Sequence, residues 1–288
     1  MSDPYHQLLD ATIHHLQSLK ARGVRAVVVS PERLRQLSQN RPQASVRAAS
    51  APATRLSTVI ESPTTASSAT PAAVTAIGAL MDPQLKAAAY AELRQRAQAC
   101  IQCSHLVAAR KQVVFGVGAL DAPLMFVGEA PGADEDDQGE PFVGAAGKLL
   151  TRIIQTMGLS RETVYIANIL KCRPDTPGQS SGNRKPTPEE MQTCIPFLHE
   201  QIDLIRPQVL VGLGGTALEG LLGKGGITRL RGQWHSYRGI PLMPTYHPAF
   251  LLRNQALSEK RRVWEDMLLV MEKLGLQISE KQRNFFLK

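Results

Sequence analysis

The stretch PLMFVGEAPGADEDDQGEPFVGAAGKLL occupies residues 123–150 and joins an apolar run, an acidic glycine-rich loop and the start of a helix. The apolar run predicts a buried strand, because short apolar runs bounded by turn residues are typical of parallel sheets. VYIANIL, QVLVGLG and IPLMPTYHP predict three more strands, and helical patterns cover residues 145–157, 188–205 and 258–274. This alternation predicts an α/β fold with a parallel sheet and helices on both faces.

The polar segments of the chain follow the predicted strands. The acidic loop, NILKCRP, GLGG and YHPAF each come where an apolar run ends. Ligands of parallel sheets bind at the carboxyl ends of the strands. The sequence therefore places its candidate site at one edge of the sheet.

Composition limits the classes of protein to consider. The 288 residues are 43% hydrophobic, carry a formal net charge of +8, and can fill a substantial core. The basic balance favours an anionic partner such as nucleic acid. No apolar run of about 18 residues occurs, and the first residues have neither a basic n-region nor an apolar h-segment. We therefore predict a cytoplasmic protein with no membrane partner.

Three segments differ in composition. Residues 1–39 predict a small helical extension, too short to bury a core alone. Residues 40–80 are rich in Ala, Ser, Thr and Pro and predict a flexible linker. Residues 81–288, which begin with a helix predicted over 83–98, are expected to form the main folded domain. The extension is a candidate site for an unknown protein partner.

The four cysteines fall in three places: Cys100 and Cys103 in CIQC, Cys172 in LKCRP, and Cys194 in QTCIP. Structural disulfides are not expected in a reducing compartment. A tetrathiolate site could hold zinc or an iron–sulfur cluster, and His105 offers a Cys₃His variant. Two buried cysteines beside a redox pair are the plainer alternative. Spacing alone does not choose between zinc and iron.

Two glycine-rich loops imitate nucleotide-binding motifs. GLGGTA, residues 212–217, follows a strand, but a dinucleotide site needs an acid about 20 residues later. Residues 220–258 contain no Asp or Glu, and GLLGKGG lacks the P-loop spacing. The same interval carries five cations, which form either a phosphate-contacting surface or a solvated face: Lys224, Arg229, Arg231, Arg238 and Arg253.

Four features together resemble one family, the iron–sulfur (family 4) uracil-DNA glycosylases. They are GEAPGADEDDQGEPFVGAAGKLL, ANILKCRP and YHPAFLLR, in this order along the chain, together with the four-cysteine set, over residues 100–274. The resemblance implies a three-layer sandwich around a mainly parallel four-stranded sheet and a 4Fe-4S cluster on the four cysteines. It also implies excision of uracil from DNA by a monomer, without a metal in the chemistry.

The resemblance also implies residue roles. Glu129 and His247 are the expected catalytic residues, because bond cleavage creates a cationic sugar and an anionic base. Asn168 reads the uracil edge, and Phe142 stacks on the flipped base. The backbone at Gly128 and Ala130 completes the pocket, and Glu135 excludes the methyl group of thymine. Ala130 replaces an aspartate of the cluster-free enzymes, which leaves the water-activating base open.

Further roles follow for the segment after His247. Leu251 or Leu252 wedges into the space of the flipped base, unless the leucines only pack a helix, and Arg253 lies near phosphate. The acidic residues Asp134, Asp136, Asp137 and Glu140 are expected to be solvated or to cap helices. Two other functions stay open: a weakly catalytic cluster-bearing DNA-binding or redox-sensing module, and a metal-dependent phosphoesterase that uses DEDD.

Overall fold

The computed structural model describes residues 82–175 and 183–287. The predictions for residues 1–39 and 40–80 lie outside them. The larger helices are α1 (Pro83–Gln98), α4 (Ala145–Thr156), α5 (Pro188–Ile205), α6 (Gly215–Leu222) and α9 (Leu257–Lys273). The shorter ones are α2 (Ser104–Ala109), α3 (Ala133–Gln138), α7 (Ile227–Leu230), α8 (Pro248–Arg253) and α10 (Glu280–Arg283). The helices predicted over 83–98, 145–157, 188–205 and 258–274 are confirmed to within a residue.

The sheet of the described region has six strands in the order β1-β3-β2-β4-β6-β5. They are β1 (Val117–Gly118), β2 (Leu124–Gly128), β3 (Tyr165–Asn168), β4 (Val209–Leu213), β5 (His235–Tyr237) and β6 (Ile240–Thr245). The four predicted strands form the parallel centre, β3-β2-β4-β6. The short strands β1 and β5 pair antiparallel at the two edges. Sequence patterning missed both, because they are too short to show a period.

The sheet is covered on both faces, as expected of a three-layer sandwich. Side chains of consecutive residues in a strand point to opposite faces. Accordingly, Met125 and Val127 of β2 belong to one core cluster, while Leu124 and Phe126 belong to the other. The first cluster packs under α5 and α6, and the second under α4 and α9. This double burial explains why the strands are continuous apolar runs.

The strand register brings the functional segments to one edge. Gly128 at the end of β2 pairs with Asn168 at the end of β3, and Leu213 of β4 pairs with Thr245 of β6. The segments that leave these strands carry Glu129, Gly214 and His247, so they meet at the carboxyl edge. No helix in the described part of the chain is long and apolar enough to span a membrane.

Candidate functional site

A cleft of about 590 Å³ opens at the carboxyl edge of the sheet. Glu129 and Ala130 line it after β2, Gly214 and Gly215 after β4, and His247 after β6. Arg184 and Arg253 also line it. The cleft thus gathers an acid, an imidazole and two cations from segments far apart in the chain.

His247 is held in one tautomer by the helix that it caps. It is the N-cap of α8, and its Nδ1 accepts a hydrogen bond from the backbone N–H of Ala249 at 3.1 Å. A neutral imidazole whose Nδ1 accepts carries its proton on Nε2. Burial, assisted by Arg253, lowers the pKa of His247 to about 4, and Glu135 opposes this only partly. At neutral pH His247 is therefore an uncharged hydrogen-bond donor through Nε2.

A buried polar network supports the segment before His247. Asp266 is fully buried and accepts from Thr245 Oγ1 at 2.6 Å and from Arg231 Nη2 at 2.7 Å. The Arg231 guanidinium also lies 5.4 Å from the centre of the Tyr246 ring. The network therefore holds Thr245 and Tyr246, the two residues that precede His247.

Two of the five cations predicted to form a phosphate-contacting surface are instead paired with acids. Arg231 is committed to Asp266, and Arg238, in the turn before β6, pairs with Asp203 of α5 at 2.7 Å. Each acid lies 35 residues from its arginine in the chain. Both acids are outside residues 220–258, so the composition of that interval gave no sign of them. Lys224 and Arg229 remain exposed, and Arg253 lines the cleft.

Asn168, Gly128 and Phe142 form a closed group beside the cleft. Asn168 is 2% exposed, and its Oδ1 is a buried acceptor without a hydrogen-bond partner among the described residues. A Cβ at Gly128 would lie 2.4 Å from this oxygen and 2.5 Å from Phe142 Cζ. The Phe142 ring is 5.5 Å from the His247 ring, at 32°. The structure thus brings the predicted base-reading and stacking residues together, next to the imidazole.

The backbone at Phe142 is strained and clamped from two sides. Its φ of 56° is uncommon for a bulky residue. Glu135 Oε1 accepts from the N–H groups of Val143 and Gly144, at 2.9 and 3.0 Å. Arg161 donates to the carbonyl oxygen of Phe142 at 3.0 Å and to that of Pro141 at 2.7 Å. Sequence reasoning missed Arg161, because a single arginine in a helix-to-strand connection carries no pattern.

Glu135 has a structural task in addition to its predicted one. Its second oxygen, Oε2, accepts from the N–H of Gly132 at 3.0 Å, so three backbone donors occupy the carboxylate. Glu135 therefore holds the ends of the acidic loop together. The Glu135 carboxylate also lies close enough to His247 to raise the pKa of that residue. Glu135 is therefore beside the pocket as well.

Glu129 is half-buried in the cleft wall. Burial raises the pKa of its carboxyl group, against a hydrogen bond from Thr216 and the nearby charge of Lys185. Thr216 belongs to α6, the helix that GLGG opens. The GLGG loop therefore leads into a helix that presents a hydroxyl group to Glu129.

The remaining acids do not form a metal site. Asp136 is 2% exposed and accepts from the backbone N–H of Lys111 at 3.0 and 3.1 Å, so its predicted solvation is wrong. Asp137 pairs with Lys111 at the surface. In residues 82–175 and 183–287, no three or more His, Asp or Glu side chains are arranged to hold a metal ion. The acidic loop gives the phosphoesterase alternative no support.

Lys171 is a buried cation that sequence reasoning did not single out. Its Nζ donates to the carbonyl oxygen of Asn168 at 2.8 Å and to Gln201 Oε1 at 2.6 Å. Gln201 Nε2 in turn donates to the Phe115 carbonyl and to Tyr165 Oη, both at 2.9 Å. Burial lowers the pKa of Lys171 to about 8. This network braces the strand end that carries Asn168.

The two predicted wedge residues, Leu251 and Leu252, are neighbours in α8 but differ in exposure. Leu251 is 5% exposed and packs with Tyr246 and Val263, so most of its side chain belongs to the core. Leu252 is 37% exposed. Of the predicted pair, Leu252 is the more exposed, because neighbouring residues of a helix face different directions.

The four cysteines line one small apolar cavity between α2, α5 and the segment after β3. Arg110 Nη1 donates to Cys172 Sγ at 3.0 Å, and the backbone N–H of Lys171 donates to Cys194 Sγ at 3.2 Å. Burial raises the pKa of Cys194 to about 12. His105 pairs with Glu190 at 2.6 Å, so the Cys₃His variant is not supported.

Comparisons with known proteins agree with this geometry. A sequence model of the Uracil DNA glycosylase superfamily matches residues 115–268. The chain is 45% identical to a Type-4 uracil-DNA glycosylase of Thermotoga maritima over 177 residues, 60% of this chain and 88% of the relative. It is 38% identical to a Type-4 uracil-DNA glycosylase of Sulfurisphaera tokodaii over 206 residues, 68% of this chain and 89% of the relative.

Proposed function

Because this chain belongs to the uracil-DNA glycosylase superfamily, with type-4 enzymes as relatives, we propose that it excises uracil from DNA. One observation carries this proposal: the buried Oδ1 of Asn168 has no partner among the described residues. An unsatisfied buried acceptor costs about 1–3 kcal/mol. The N3–H of uracil is a donor that would remove this cost, whereas cytosine presents an acceptor at the same position.

The leaving group is stabilised by His247. Cleavage of the bond between C1′ of the sugar and N1 of uracil leaves the electron pair on the base, with negative charge at O2. A preorganised donor lowers the barrier most where charge develops in the transition state. The Nε2–H of His247 is such a donor, and its tautomer is fixed before substrate arrives because Ala249 occupies Nδ1.

The sugar is stabilised by Glu129. The departing base leaves positive charge on the sugar ring, and a carboxylate across the cleft from His247 opposes it. A water molecule then adds to C1′ and gives up one proton. Glu129 is the carboxylate that lines the cleft, so we assign it to orient this water and accept the proton. The side chain of Ala130 is a methyl group, which cannot accept a proton.

The roles of the other predicted residues complete the pocket. Phe142 is proposed to stack on the extruded base, and Gly128 to leave room for it. We retain Glu135 as the residue that excludes the methyl group of thymine, in addition to its hold on the loop. Leu252 is proposed as the wedge and Arg253 as a phosphate contact, so uracil-containing DNA is the partner. A cytoplasmic monomer is the form in which we expect it to act.

The cysteine cavity is proposed to hold a 4Fe-4S cluster on Cys100, Cys103, Cys172 and Cys194. All four line one apolar cavity, and donors to two of the sulfurs suit thiolates that carry negative charge. When bound, the cluster would tie α2 and α5 to the segment after β3. Iron content with absorption near 400 nm supports the cluster. A colourless protein with stoichiometric zinc contradicts it.

The activity is tested with a labelled oligonucleotide that contains one uracil, by alkaline cleavage after incubation. Thymine and cytosine oligonucleotides are the substrate controls. Glu129→Gln and His247→Ala should each slow single-turnover release by at least about 100-fold. Wild-type rates in both variants would refute the assignment, and loss of activity in EDTA would reopen a metal-dependent reaction.

A further inference from the structure

A second concave site lies on the far side of α8 from the cleft. It is a groove of about 180 Å³ between α4, α8, α9 and the C-terminal segment. Leu251, Leu252, Trp264 and Phe286 are among the residues that line it. The opposite side of α8 presents Ala249, Phe250 and Arg253 to the cleft. The helix that carries the proposed wedge is therefore a ridge between two sites.

The groove is apolar, exposed and bordered by cations. Leu252 is 37% exposed and Phe286 is 43% exposed. Its charged lining residues are Arg152 and Lys260, and neither forms an ion pair with an acid among the described residues. This combination of an aromatic face and positive charge suits a nucleobase with its phosphate, because bases stack on aromatic rings and phosphates attract cations.

Phe286 is held in place at a conformational cost. Its φ is 60°, which is uncommon for a bulky residue and persists only where the surroundings impose it. Arg261 Nη1 donates to the carbonyl oxygens of Phe285 and Arg283, at 2.8 and 2.7 Å. Trp264 Nε1 donates to the Gln282 carbonyl at 2.6 Å. The segment is therefore anchored to α9, with the ring of Phe286 at the groove.

We propose that this groove binds the orphaned base of the opposite strand, the one that loses its partner when uracil is flipped. This inference rests on the proposed function. The flipped base occupies the cleft on one side of α8, and Leu252 fills the gap that it leaves. The orphaned base lies across that gap, which is where the groove begins. Stacking on Phe286 holds it, with Arg152 and Lys260 on the neighbouring phosphates.

The test measures binding by fluorescence anisotropy, with the full chain and a tetrahydrofuran abasic analogue in DNA. This probe needs no excision. Phe286→Ala should weaken binding to a duplex with adenine opposite the analogue by about 5- to 150-fold, the stacking contribution of one base. Binding to the single strand should not change, because it has no opposite base. Phe286→Trp should retain duplex affinity, and Leu85→Ala, exposed on α1, is the matched control.

The outcomes separate the two proposals. Equal losses on duplex and single strand would assign the groove to a neighbouring base and overturn the inference, as would no loss at all. A concentration-dependent dimer in sedimentation that Phe286→Ala abolishes would instead make the groove a self-association surface. If the wild-type protein excises uracil but any of these results is obtained, only the groove fails. If it neither excises uracil nor binds the analogue, the proposed function fails.

Discussion

Replacement of Gly128 by alanine tests the closed group beside the cleft. The added methyl group would lie 2.4 Å from Asn168 Oδ1 and 2.5 Å from Phe142 Cζ, about 1 Å inside ordinary contact. Asn168 is 2% exposed and Phe142 is 6% exposed, and the Phe142 backbone is clamped. The overlap must therefore displace the amide, the ring or both.

The magnitude follows from the interactions that are lost. A hydrogen bond to a buried acceptor contributes about 1–3 kcal/mol, and stacking of one base contributes roughly as much again. Their sum, about 2–6 kcal/mol, corresponds to a fall in kcat/KM of roughly 30-fold to more than 10⁴-fold.

The matched control is Gly212→Ala, in the neighbouring strand β4. Its Cβ would meet the Leu218 Cδ2 atom at 2.8 Å, in the core. Overpacking there should lower the free energy of unfolding by about 1–3 kcal/mol and leave the excision rate unchanged. Single-turnover kinetics and urea unfolding measure both variants. Full activity in Gly128→Ala, or an equal loss in Gly212→Ala, would show that the reasoning about the pocket is wrong.

Three further results are expected. The pKa of His247 is lowered to about 4, below its usual 6.5, so its stability contribution is present above pH 6.5 and is lost as the pH falls towards 4. Since the imidazole stays neutral, the excision rate should not fall as the pH drops through 6.5. A fall near pH 6.5 that is still present in Glu129→Gln would contradict the role of His247 as a neutral donor. Gln201→Leu should lower the free energy of unfolding in urea by about 2–5 kcal/mol, because it leaves several buried groups unpaired; an unchanged midpoint would contradict the network. Leu251→Ala should cost about 2–5 kcal/mol of stability, whereas Leu252→Ala should cost under about 0.5 kcal/mol and slow excision from duplex DNA; the reverse pattern would exchange their roles.

The order of the central strands along the chain, the longer helices and the edge of the sheet that carries the site could be predicted from the sequence. Apolar runs covered on both faces have a local signature, and so do the helical patterns between them. The motifs that carry Glu129, Asn168 and His247 could be placed for the same reason, because each directly follows or ends such a run. The four cysteines could be grouped by resemblance, and the structure does place them around one cavity.

What only the tertiary structure decided is which side chains are free to act. Arg231 and Arg238 are as basic as Arg253 in the sequence, yet acids 35 residues away neutralise them. Asp136 is turned inward to backbone donors 24 and 25 residues earlier. Leu251 and Leu252 differ only in the direction that the helix gives them. Local patterns set strands and helices because hydrophobic periodicity is short-ranged, whereas hydrogen bonds, ion pairs and burial depend on partners that only the folded chain brings together.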